Sequence, residues 1–173
     1  MESQNKPEPW PLSVLQVVEP GVDGAFRHVE GLIRYLLEQD VRVHLAYSSQ
    51  RDSEQLYELV NSVAKHGGQA LDLKIGARPR PGDLLALAKL YKLARSTDVD
   101  VLHGHSSKAG VLTRVASKAL GKPCLYTPHA YYGMSGRPGK KQSFYSAIER
   151  QLASWGHTIN VSAEEQEFAG MNG

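Results

Sequence analysis

The sequence contains a single cysteine, Cys124, among 173 residues. That excludes an internal disulfide and any zinc site built on cysteines, and inside its apolar run Cys124 reads as a small buried side chain. No apolar stretch approaches the ~18–20 residues that span a bilayer. The opening MESQNKPEPWP is polar and Pro-rich and lacks the apolar centre of a signal peptide, so the cytoplasm is the expected compartment. An excess of one charge is missing as well. Lys and Arg number 20 against 18 Asp and Glu, a formal +2, so no strongly basic face and no nucleic-acid partner are expected. What remains is 41% hydrophobic and 22% charged, the balance of one folded domain. A chain of this size buries roughly two-thirds of its unfolded surface, enough for a core without cross-links.

Residues 1–12 read as an N-terminal arm, with Pro7, Pro9 and Pro11 fixing φ and removing donors. From residue 13 to 173 the hydrophobic period alternates between strand and helix. Ser13 to Val18 reads as a β-run, followed by a turn with Gly21 and Gly24. Phe26, Val29, Leu32, Ile33, Leu36 and Leu37 then form one helical stripe. Strands are expected at 41–47, 69–73, 99–103, 123–127 and 158–161. Helices are expected from Asp52 or Ser53 to about 66, from Asp83 to 96, from Ser106 or Ser107 to 121, from 142 to about 154, and from 163 to 169. This alternation predicts an α/β fold, a Rossmann-like doubly wound parallel sheet of about six strands in the order 3-2-1-4-5-6. Ligands of such sheets bind outside the carboxyl ends of the strands where the winding reverses, which nominates residues 19–25, 103–108 and 127–133.

Each of these loops carries chemistry. Gly21 and Gly24 lead into a helix N-terminus, an arrangement that admits a phosphate or simply makes a tight turn. The dinucleotide pattern G-x-G-x-x-G is absent, and Ser48-Ser49-Gln50-Arg51 stands where a ribose-binding acid would be, leaving an NADP-binding domain as a weaker alternative. His103 and His105 share one face of a strand, but no carboxylate falls between Val101 and Leu125, so no metal site is expected. Ser106 and Lys108 either hold an anion at a helix start or serve as a cap and a solvated cation. His129, just past a central strand, stands at the crevice as a hydrogen-bonding or acid–base group, or as an ordinary loop contact. Tyr131 and Tyr132 offer aromatic faces to a sugar or base. Gly136 to Lys141 reads as a cationic loop able to act as a lid, and Glu149-Arg150 as a surface ion pair. Lys74, Arg78, Arg80, Lys89 and Lys92 accompany an apolar helix, which suggests peripheral contact with anionic lipid.

The run Asp100 to Gly110 (DVLHGHSSKAG), Tyr126 to Ala130 (YTPHA), Ile148-Glu149-Arg150 and Asn160-Val161-Ser162, in this order and spacing, resembles the amino-terminal domain of family 4 glycosyltransferases. The resemblance covers about residues 12–169. It implies one half of a two-domain GT-B architecture that needs no metal and no cofactor. Such enzymes transfer a sugar from a nucleotide-activated donor, with retention of configuration, to a polysaccharide or lipid-linked acceptor in cell-envelope assembly. By that resemblance Gly21 and Gly24 take the donor-phosphate loop role, and His129 that of the active-site histidine near the donor sugar. The same resemblance sets His105, Ser106 and Lys108 in the cleft lining, and Tyr131 and Tyr132, from their place in the third loop, are expected with them on the acceptor side. In the first loop the chain departs from the pattern, since Val22-Asp23 separates the two glycines. The donor-binding carboxyl-terminal domain is not expected in 173 residues, and the chain by itself is expected to be inactive. The alternative from another class is a non-catalytic subunit or remnant that docks a separate donor-binding chain.

Overall fold

The computed structural model describes residues 12–19, 23–76, 78–131 and 140–172, with the side chains of 23, 140–145, 171 and 172 left aside. The strands are β1 (Ser13–Val18), β2 (Arg42–Tyr47), β3 (Ala70–Asp72), β4 (Val101–His105), β5 (Cys124–Thr127) and β6 (His157–Thr158). The helices are α1 (Asp23–Glu38), α2 (Glu54–Lys65), α3 (Gly82–Ser96), α4 (Ser107–Leu120), α5 (Lys140–Leu152) and α6 (Ala163–Asn172). All pairings are parallel and the order is β3-β2-β1-β4-β5-β6. The chain is thus the doubly wound α/β sheet its alternation predicts, with winding reversed between β1 and β4.

Every residue of β1 is buried, as in a central parallel strand covered on both faces. Leu15 and Val17 join Leu90, Leu102, Leu112 and Ala116 in a core beneath α3 and α4. On the opposite face Val18, Val43 and Leu45 meet Phe26, Val29 and Ile33 of α1 and Leu56, Leu59 and Val63 of α2. Of the two proposed α2 caps, Ser53 is the one used, its hydroxyl accepting from the Leu56 N–H at 3.2 Å. At the far end of α4, Gly121 takes the left-handed conformation (φ 66°) that closes the helix.

Several boundaries differ from the sequence expectation, and those of β4, β6 and α5 bear on the site. β4 runs to His105 rather than stopping at 103, because Val18 on one side and Thr127 on the other pair with His105 in register. β6 is shorter and earlier, an edge strand whose ladder ends with the Ile159 N–H donating to the Tyr126 carbonyl at 2.8 Å. α5 begins two residues sooner, at Lys140, and ends at Leu152. Glu149 is not in a surface pair with Arg150. It faces Arg114 of α4, whose side chain is 2% exposed, with Nη2 2.8 Å from Oε2, and it accepts from the Tyr126 hydroxyl at 3.1 Å.

Candidate active site

Strand alternation puts Leu102 in the α3–α4 core, so His103 and His105 project from the other face, the face of Gln16 and Val18. Four histidines from three parts of the chain meet there. His103 and His105 lie tilted at 40° with ring centroids 4.0 Å apart, His129 stacks on His105 at 5.3 Å, and His28 of α1 meets His129 edge-on at 5.1 Å. His105 is fully buried and bonded at both nitrogens, Nε2 to Gln16 Oε1 at 2.7 Å and Nδ1 to His129 Nε2 at 3.0 Å. His103 Nε2 lies 2.9 Å from the Thr127 hydroxyl. Burial, reinforced by the other histidines, holds His105 well below its ordinary pKa and His103 down at about 4. Both rings are neutral at physiological pH. Among the described residues no group of His, Cys, Asp and Glu converges on a metal position.

The segment carrying His129 is strained. His129 (φ 54°) and Ala130 (φ 96°) are successive non-glycine residues on the left-handed side. Glu165, buried on α6, holds them there: its carboxylate accepts from the Ala130 N–H at 2.7 Å and the Val161 N–H at 3.0 Å. The Glu165 N–H donates to the Ser162 hydroxyl at 3.1 Å, half of a capping box whose acidic side chain is turned to the neighbouring loop.

On the other side of the switch point, Glu19 ends β1 as a buried carboxyl. Burial raises its pKa against the opposing pull of Lys108, Arg51 and the Ser106 hydroxyl. Ser106 occupies the α4 cap position at φ 74° without making a side-chain cap bond. Lys108 is neither solvated nor an open anion contact. Its ammonium is paired with Asp83 of α3 at 2.9 Å and donates to the Arg78 carbonyl, tying the starts of α3 and α4 together.

Of the residues singled out from sequence, the structure brings His105 and His129 into contact and sets Ser106 and Lys108 next to Glu19. Gly24 lies in the first turn of α1 with open space around it. Tyr131 is packed away from an open aromatic role: its hydroxyl donates to Asn160 at 3.0 Å, its ring stacks on Phe168 at 5.5 Å, and burial with Glu149 and Glu165 pushes its pKa up to about 12. Gly21, Tyr132 and residues 136–139 of the proposed 136–141 lid lie outside the described residues, and its last two residues, Lys140 and Lys141, belong to α5. Ser48 and Ser49 are engaged in structural bonds, to the Ile75 carbonyl and to Asp72, and Gln50 donates to the Lys74 carbonyl. Sequence reasoning passed over Gln16, Glu19 and Glu165. A lone amide in S-V-L-Q-V-V and the S-x-x-E of residues 162–165 were the available signals.

A parallel doubly wound sheet with its polar groups gathered at the switch point defines a Rossmann-like domain. The family model of Glycosyltransferase Family 4 matches residues 22–169, and the chain belongs to that family. Over 61 residues it is 38% identical to the UDP-Gal:alpha-D-GlcNAc-diphosphoundecaprenol alpha-1,3-galactosyltransferase of Escherichia coli, a match covering 35% of this chain and 15% of that enzyme. Its fold is similar to a glycosyltransferase from Rickettsia africae (TM-score 0.61, 20% identity, 89% of this chain and 38% of that one). It is also similar to MurG of Acinetobacter baumannii (TM-score 0.59, 13% identity, 89% and 43%). The chain spans less than half the length of each of these proteins.

Proposed function

We propose that this chain forms the acceptor-side half of a retaining glycosyltransferase that moves a sugar from a nucleotide-activated donor to a lipid-linked glycan acceptor. The observation that carries the reading is the placement of His129, within the family-matched segment, at the carboxyl end of β5, held by His105 from the strand at the switch point. His129 contacts the donor sugar. Gly24, in the first turn of α1, lies along the donor phosphates, where a helix N-terminus favours an anion, and Gly21 is assigned the same role from the sequence. His105 and Ser106 with Lys108 shape the acceptor wall. Of these, Lys108 acts through its pair with Asp83 rather than as a free cation. The lipid-linked acceptor is supported by the Escherichia coli relative, whose name specifies a diphosphoundecaprenol substrate. Cytoplasmic-face glycan assembly for the cell envelope follows from that choice of acceptor.

We place the donor diphosphate on a second domain or a separate chain, a reading supported by the share of each solved glycosyltransferase that this chain spans, less than half. This half therefore transfers no sugar by itself, since the groups that stabilise the departing diphosphate are supplied from across the cleft. The test is His129→Ala in the two-domain enzyme, assayed by transfer from a nucleotide sugar to a polyprenyl-diphosphate-linked sugar. A loss of about 10- to 100-fold in kcat/KM is expected for a removed site hydrogen bond. Unchanged turnover sinks the role given to His129, and transfer by the 173-residue chain alone sinks the division of labour.

A further inference from the structure

Gln16 has no evident reason to be polar. It lies in the middle of a strand buried on both faces, is 1% exposed, and has Leu15 and Val17 in the core beneath it. An amide in such a place is costly unless it is hydrogen-bonded. Its Oε1 meets His105 Nε2 at 2.7 Å, and His105 Nδ1 meets His129 Nε2 at 3.0 Å. The three groups form a line running from the sheet interior to the crevice.

The direction of that line follows from donor and acceptor capacity. An amide oxygen only accepts, so the proton on His105 must reside on Nε2. A neutral imidazole has one N–H, so His105 Nδ1 is then a lone pair. The bond between the two rings must be donated by His129 Nε2–H. In its neutral form His129, already donating from Nε2, carries no proton on Nδ1, which is then the acceptor nitrogen. We propose that Gln16 is a positioning residue: acting through His105, it fixes His129 as the Nε2–H tautomer and so decides which nitrogen accepts at the crevice.

The surroundings support a neutral relay. His105 is sealed from water with the tilted ring of His103 against it, so neither ring readily takes a second proton. His28, edge-on to His129, and His105, stacked upon it, set the plane of the ring. An acceptor nitrogen recognises a ligand that donates. The consequence is chemical selectivity at this position for a hydroxyl, as on a sugar, over a phosphate or carboxylate oxygen. That consequence rests on the role proposed for His129 above, whereas the proton arrangement itself does not.

The chain labelled with 15N-histidine reports the arrangement directly through two-bond 15N–1H correlations, which show the protonated nitrogen of each ring. The expected result is Nε2–H on both His105 and His129, with an N–N coupling across the bond between His129 Nε2 and His105 Nδ1. Gln16→Met keeps the side chain's length and removes the amide. The His105 Nε2–H would then be a buried donor without an acceptor, so its proton moves to Nδ1, the inter-ring bond reverses, and His129 shifts toward Nδ1–H by about tenfold or more. A purely packing role for Gln16 would move neither ring's proton. His129 found as Nδ1–H in the unsubstituted chain overturns the proposal. So does a Gln16→Met chain with an unchanged backbone amide spectrum and unchanged tautomers. Should Gln16→Met fail to fold, the tautomers and the coupling in the unsubstituted chain decide alone. Failure of the transfer assay with the tautomers as expected would instead remove the transferase reading and leave the relay standing.

Discussion

Histidines at 44, 103 and 105 are all buried in the sheet, and all are held below their ordinary pKa, first by burial. His44 is a strand residue whose Nδ1 accepts from the Gln69 N–H at 3.0 Å, which leaves its proton on Nε2. Because these rings stay neutral in the fold, the unfolded chain binds more protons than the folded chain once the pH falls below the ordinary value of 6.5. Stability is therefore full above that value and is lost as pH falls toward the folded value of about 4 for His103. His103 alone accounts for about 3 kcal/mol of this loss. Glu19 works in the opposite sense, since its raised carboxyl takes up a proton more readily in the fold. Urea midpoints at about pH 7.5 and about pH 4.5 check the balance, with a clearly lower midpoint expected in acid. Equal midpoints would contradict the assignment of neutral buried rings. Residue identity alone did not reveal this, because a histidine in a sequence shows neither its burial nor its neighbours.

At the scale of elements, the close approach of α4 to β4 and β5 is decided by two glycines. A Cβ on Gly110 would stand 2.2 Å from the Tyr126 ring, and one on Gly104 would stand 2.7 Å from the Thr113 hydroxyl. Tyr126 is fully buried, carries the Arg114 guanidinium 4.2 Å from its ring centroid, and stands directly before Thr127 in the strand that leads into His129. Gly110→Ala is expected to force the helix from the sheet at a cost of about 1–3 kcal/mol. Gly24→Ala, in a helix turn with open space, is expected to be neutral or stabilising by up to about 1 kcal/mol. Urea titrations of the two variants measure the difference, and equal effects would show that the packing at Gly110 is not what limits it. The order of elements was legible from hydrophobic period. The ends of β4 and β6 were not, because ladder pairing with neighbours sets where a strand stops.

For the whole molecule, the loop ends of the strands and the start of α3 share one rim, since Lys108 pairs with Asp83 across them. Leu84 and Leu85 stand out from that rim, 75% and 61% exposed, beside the exposed Arg78, Arg80 and Lys89. Apolar side chains flanked by cations suit an anionic lipid surface, where a lipid-linked acceptor would be met. No helix among the described residues is long and apolar enough to cross a membrane, so such contact would be from the side. Co-sedimentation with phosphatidylglycerol vesicles is expected to be salt-sensitive and to fall several-fold in Leu84→Ser/Leu85→Ser. Equal binding of this variant, or none by the unsubstituted chain, would remove the membrane from the proposal.

Alternating periods of two and 3.6 residues, a parallel sheet of six strands, its order and its switch point were all determined by the linear sequence, because short-range hydrophobic pattern and right-handed crossovers leave few other solutions. The resemblance carried by residues 100–110 and 126–130 likewise needed no coordinates, and the family match over 22–169 bears it out. Only the tertiary structure decided how the polar residues are used. It joined Gln16 to His105 and His129 across 89 and 24 positions of chain, paired Lys108 with Asp83, and set Glu165 beneath Ala130. Hydrogen bonds and ion pairs depend on separations held to within a few tenths of an ångström between side chains far apart in sequence, and no local pattern encodes those.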